Sequence, residues 1–172
     1  PPVPVARSRS EVPGADSPLT MVEREALKLA IQSPALAGPM FDAITADDYA
    51  YPVHVVVREA IAEAGGLAAA MAGAVWVEKV REACTDLSAA ALVGELAVEP
   101  LRIDGEADPR YVSVTLARLQ HASVNRRLRE VKSRVQRLNP VTHRDEYLTL
   151  AGELFSLEQH ARALREQAVG GL

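Results

Sequence analysis

The residue types that most often do chemistry occur in this chain, but never in company. His54, His121, His143 and His160 lie far apart, with no HExxH pair and no Cys/His cluster at ligand spacing, so no metal site is expected. Asp47-Asp48 is a carboxylate pair of the kind that can divide acid and base roles. It stands beside the start of a helical pattern, where capping backbone N–H groups is the simpler use. Gly65-Gly66 and Gly73 do not spell GxGxxG, and they follow a helical pattern where a phosphate cradle needs a strand. Cys84, the one cysteine, has no disulfide partner and sits in the helical run VWVEKVREAC, which suits a small half-buried residue better than a reactive thiol. These residues assemble no active site, and binding is the remaining class of function.

Two features could bind. The stretch NRRLREVKSRVQRLNP, residues 125 to 140, carries Arg126, Arg127, Arg129, Lys132, Arg134 and Arg137 against Glu130, inside a chain of net charge −4. At about 100° per residue the cations spread over the whole polar arc of a helix and form no stripe, and no aromatics interleave them. Sequence-specific DNA binding is therefore not expected. The run reads as a solvated basic face partly balanced by Glu146, Glu153 and Glu158, with steering toward an acidic partner as the second reading. The other feature is near the end of the chain. Leu148, Phe155, Gln159, Arg162, Glu166 and Val169 fall within about 80° of one another on a helix and point away from that helix's main apolar seam. An aromatic beside an Arg on such a face is the usual anchor of a protein–protein contact. The competing use of the stripe is packing back onto the rest of the chain.

The elements that position these residues are all helical. Hydrophobic content is 48% but aromatic content only 4%, so Leu, Ala and Val must do the packing, which favours helices at close range. Residues 1 to 18 hold five of the eleven prolines and read as a flexible linker; a start without Met suggests a piece of a longer polypeptide. Thr20-Met21-Val22-Glu23 has the pattern of a capping box, predicting a helix to about Ser33. VHVVV looks like a strand, yet Val53, Val56, Val57, Ala60 and Ile61 have helical spacing behind Pro52, with Gly65 at the exit. AAAMAGAVWVEKVREAC and LSAAALVGELAV give two more helices, with Phe41, Trp76, Leu92 and Leu96 as core.

From Asp108-Pro109 no breaker appears until Asn139-Pro140, so one long helix is expected, with a possible bend at residues 123 to 125 where the apolar spacing slips. Val124, Leu128, Val131, Val135 and Leu138 repeat at heptad spacing, as do Leu150, Leu154, Leu157, Ala161, Leu164 and Ala168. Two such seams around a short loop predict an antiparallel hairpin, carried outward by the long helix. The expected architecture is all-α: a linker over 1–18, a short-helix bundle subdomain over 19–120, and a helical hairpin subdomain over 121–172. No apolar run reaches membrane-span length and no signal peptide opens the chain, so a cytoplasmic setting is expected.

The stretches EREALKLAIQSPALAGPMFDAI and EYLTLAGELFSLEQHARALREQAVGGL, with the long helix between them, resemble the C-terminal helicase-binding domain of bacterial DNA primase, of the actinobacterial, mycobacterium-like kind. The resemblance covers residues 20 to 172, and the terminal hairpin is its more specific part. It implies a bundle that stimulates the hexameric replicative helicase and a hairpin that anchors to the helicase's N-terminal collar, coupling primer synthesis to the replication fork. The N-terminal domain of that helicase has a comparable start, so an oligomerisation domain of the helicase is the alternative. The zinc-binding and RNA-polymerising domains of such a primase, with their zinc and magnesium, would precede residue 1, and this part would hold no cofactor of its own. In some family members a basic pocket at the first helix holds the acidic tail of single-stranded-DNA-binding protein. Arg24 matches an arginine of that pocket, whereas Leu19 and Glu95 replace its lysines.

Overall fold

The structure, a computed structural model, describes residues 14–70 and 73–169, all of whose regular elements are helical. The first helix, α1 (Pro18–Gln32), starts earlier than the Thr20 box suggests. Ser17 is its cap: its Oγ accepts from the Thr20 N–H at 3.1 Å, and Pro18 takes the first-turn position where a missing N–H costs nothing. Thr20 is buried and donates its hydroxyl back to the Gly14 carbonyl. Residues 14–18 are thus a turn and a helix start, which shortens the expected linker, and residues 1–13 lie outside the described part.

Freed from capping, Glu23 points into the protein and is completely buried. Its carboxylate accepts from the Ala50 N–H at 2.6 Å, the Tyr51 N–H at 3.2 Å and the His54 ring Nδ1 at 2.8 Å. Ala50 and Tyr51 precede α3 (Pro52–Glu63), whose first N–H groups have no intrahelical partner, so a residue of α1 ties down the entry to α3. VHVVV is helical here. The β-branched residues cost little propensity against what Val57 and Ile61 gain in full burial.

Around α1 pack α2 (Pro34–Phe41), α3, α5 (Leu87–Val98) and the first half of α6 (Pro109–Arg137), while α4 (Ala74–Ala83) closes the bundle against α3 and α5. α4 is shorter than its apolar run implies, because Leu67–Ala69 forms a separate 3₁₀ turn and Gly73, at φ 79°, sets the helix start. Phe41, Trp76, Leu92 and Leu96 are all core, as their spacing predicts, and the Trp76 indole donates to the Ala30 carbonyl at 3.1 Å.

Asp108 caps α6 through the Tyr111 N–H at 2.7 Å, and 29 residues follow without interruption, a rod of about 43 Å. Val112, Leu116 and Leu119 face the bundle; Val124, Leu128 and Val131 face α7 (Arg144–Val169). No break occurs at residues 123 to 125. There the helix is pinned instead: the Ser123 hydroxyl donates to Asp48 Oδ1 at 2.7 Å, and the Arg126 guanidinium to the Asp47 carbonyl at 3.0 Å. Asp48 also accepts from the Thr45 N–H, so its capping role is real but serves the 3₁₀ turn Ala46–Asp48 rather than α3. The hairpin is not held out at the end of α6 as expected. α7 runs antiparallel along the whole rod, and Gln167 Nε2 donates to Ser113 Oγ in the first turns of α6 at 3.1 Å.

Replacing Glu23 with Ala strands three donors at once, the buried His54 ring and the half-buried Ala50 and Tyr51 N–H groups. The expected loss is about 3 kcal/mol of unfolding free energy, read by urea denaturation; a loss below about 1 kcal/mol would mean water reaches these groups.

Candidate functional site

The outer face of α7 is bare. Its inner face, Leu150, Ala161 and Leu164 with the half-buried Leu154, Leu157 and Ala168, closes against α6. Each well-buried Leu contributes about 1.5–3 kcal/mol, so this seam holds the hairpin together. The ion pairs flanking it are weaker, about 0.2–1 kcal/mol each at exposed sites, and mainly fix the register. Arg127 meets Glu153 at 2.7 Å, and Lys132–Glu158 and Arg134–Glu146 are each 3.5 Å apart. The three acids expected to balance the basic run therefore do so.

With the seam facing inward, the stripe opposite it must face solvent. Phe155 is 65% exposed, Leu148 56% and Val169 67%, and Gln159, Arg162 and Glu166 are exposed between them. None of these six side chains makes a hydrogen bond or ion pair among the described residues. Among the described residues the stripe from Leu148 to Glu166 does not pack back onto the bundle, the competing use expected of it. At its C-terminal end the stripe runs into a cleft of about 380 Å³ where Ala168 and Val169 meet Ile103, Arg110, Tyr111, Val114 and Arg118.

Arg24 lies in a different setting. Its guanidinium donates to Glu99 Oε2, at 2.8 Å from Nε and 2.5 Å from Nη2, and reaches Glu95 at 3.3 Å. Beside it Lys28, almost wholly buried, bonds the Pro100 carbonyl at 2.9 Å and pairs with Glu25 and Glu99. The Arg24 hydrogen bond holds the Glu99 carboxyl below its ordinary pKa, against a smaller opposing effect of burial. Glu25 in turn accepts from the Tyr111 hydroxyl, whose pKa is raised by burial first and by this carboxylate second. A chain of charges on α1 thus stitches down the loop between α5 and α6. Sequence reading missed this stitching because its partners are more than 70 residues apart; the acid–base alternation of Arg24, Glu25 and Lys28 was the available signal.

Among the described residues no group of three or more His, Cys, Asp or Glu is arranged to hold a metal ion, and no helix is long and apolar enough to cross a membrane. Cys84 is half-buried at the end of α4, with burial raising its thiol pKa.

The fold and its exposed stripe define an all-helical bundle with a two-helix arm. The family model described as DNA primase DnaG DnaB-binding matches residues 23–150. DNA primase of Mycolicibacterium smegmatis is 47% identical over 159 residues, and that of Mycobacterium tuberculosis 44% over 158; each alignment covers 92% of this chain and 25% of the relative. A solved structure, the helicase binding domain of primase from Mycobacterium tuberculosis, matches with a TM-score of 0.69 and 45% identity, over 87% of this chain and 93% of that one. The chain belongs to the DnaB-binding family of DNA primase DnaG, and it spans about a quarter of the length of the primases it matches.

A carboxyl whose pKa is depressed by folding stabilises the fold above its unfolded pKa of about 4.3 and loses that contribution as pH falls through the folded value. Glu99→Gln should therefore be less stable than the unmodified chain at pH 7, and the gap should close as pH falls below the ordinary carboxyl range in acid titrations followed by circular dichroism.

Proposed function

We propose that this chain is the helicase-docking module of a DNA primase, and that it binds the replicative DnaB helicase hexamer through the outer face of α7. Leu148, Phe155, Gln159, Arg162, Glu166 and Val169 make the contact, and the bundle, joined through α6, brings primer synthesis to the replication fork. The observation that carries this reading is the 65% exposure of Phe155 on a helix whose opposite face is already closed. An aromatic left in water gives up most of the stabilisation it could gain by burial, about 1.5–3 kcal/mol, and a partner surface recovers it. The mycobacterial match is named a helicase binding domain, which supports the same partner. Primer synthesis itself belongs to the parts of a primase outside this chain.

An N-terminal oligomerisation domain of the helicase, the alternative from sequence, is set aside by kinship with primases over 92% of the chain. The second contact suggested by the resemblance, between Arg24 and the acidic tail of single-stranded-DNA-binding protein, meets competition: Glu95 and Glu99 already occupy the guanidinium. A tail gains Arg24 only by displacing two carboxylates.

Phe155→Ala combined with Arg162→Ala should weaken binding to the cognate helicase by about 2–4 kcal/mol, read by calorimetric titration, while helicity stays unchanged. Unaltered affinity would remove these residues from the interface.

A further inference from the structure

The chain's net charge of −4 conceals two opposed halves. Residues 14–108 carry sixteen Asp and Glu against six Lys and Arg, a net of −10. Residues 109–169, which are α6, α7 and their loop, carry eleven Lys and Arg against six Asp and Glu, a net of +5. The arm is basic and the bundle acidic.

Part of that positive charge is neutralised within the arm, on Arg127, Lys132 and Arg134. Arg110 and Arg118 are not: both are exposed, and neither has an ion pair or a side-chain hydrogen bond among the described residues. They lie about 12 Å apart along α6, on the same wall of the cleft into which the α7 stripe runs. The rest of that cleft is largely apolar: Ile103, Val114, Ala168 and Val169, with the Tyr111 ring. Its one acid, Asp108, is engaged in capping α6. The arrangement is an apolar floor, two uncommitted guanidinium groups at the edge, and direct continuity with the stripe through Val169.

We propose that this cleft extends the docking surface of α7, and that its occupant is an element of the same helicase with an apolar tip flanked by carboxylates. Resting on the α7 reading, the proposal adds the chemistry of the partner surface and two specificity residues, Arg110 and Arg118. Guanidinium groups can take carboxylates in bidentate fashion, and like charge would turn a basic surface away. The net charge of the arm accelerates encounter with an acidic target, while the acidic bundle is repelled by it, so the arm approaches first.

The test is titration of the 172-residue chain with the cognate DnaB hexamer across a range of salt, using Phe155→Ala and the pair Arg110→Glu with Arg118→Glu, each checked for unchanged helicity. The charge-reversed pair should bind about tenfold more weakly at roughly 50 mM salt, with the gap narrowing to about threefold near 500 mM. Phe155→Ala should weaken binding similarly at both. Full low-salt affinity of the charge-reversed pair, with Phe155→Ala still impaired, would overturn the cleft proposal and leave the α7 reading standing. If Phe155→Ala has no effect either, it is the α7 reading that fails. Severalfold tighter binding after removal of residues 170–172 would mean the chain's own end fills the cleft, and would also overturn the proposal. So would self-association in sedimentation that the charge-reversed pair abolishes, since the occupant would then be the acidic bundle of a second copy.

Discussion

One helix serves two cores. α6 turns Val112, Leu116 and Leu119 toward the bundle and Val124, Leu128 and Val131 toward α7, and the two buried groups part between Leu119 and Val124. Because an α-helix cannot twist freely about its own axis, fixing one face fixes the other. The direction in which α7 presents Phe155 is therefore set by how the first half of α6 sits on α1. The stitching of Arg24, Glu25 and Lys28 to the loop before α6, and the Asp108 cap, hold that setting.

The magnitudes separate what builds the arm from what tunes it. Leucines of the seam supply the larger part of its cohesion, whereas the exposed ion pairs of Arg127, Lys132 and Arg134 each add a fraction of a kilocalorie. Half of the six cations in the basic run of α6 are thus paired within its own hairpin. Among the described residues, the arm's positive charge without an ion pair or hydrogen-bond partner lies on Arg129 within that run and on Arg110, Arg118, Arg144, Arg162 and Arg165 outside it.

Much of this could be read from the sequence because helical period and heptad spacing are local signals. The long helix, both seams and the outward turn of Phe155 follow from intervals of three and four residues, and Pro52 decided for helix where VHVVV alone suggests a strand. The errors came where partners are distant. Thr20 and Glu23 look like a capping box, but Ser17-Pro18 is the stronger start, and the true partners of Glu23 are 27 to 31 residues away. The path of α7 was misjudged for a related reason: a seam's spacing tells which residues touch but not where the arm lies against the bundle. The lengths of α6 and α7, 29 and 26 residues, already implied that α7 would return to the start of α6. For the stripe on α7 the exposure was legible and the adjoining cleft was not, since Ile103, Arg110 and Val169 belong to three separate segments.

The double pin at the Ala46–Asp48 turn has a mechanical meaning. Beyond Ser123 and Arg126 the long helix projects about 16 Å to its end, with only its hairpin partner beside it among the described residues. A sideways tug on the far tip would bear on that turn as a lever bears on its fulcrum. Two hydrogen bonds to neighbouring aspartates, only one of them to a side chain, would be the first fastenings to take the load.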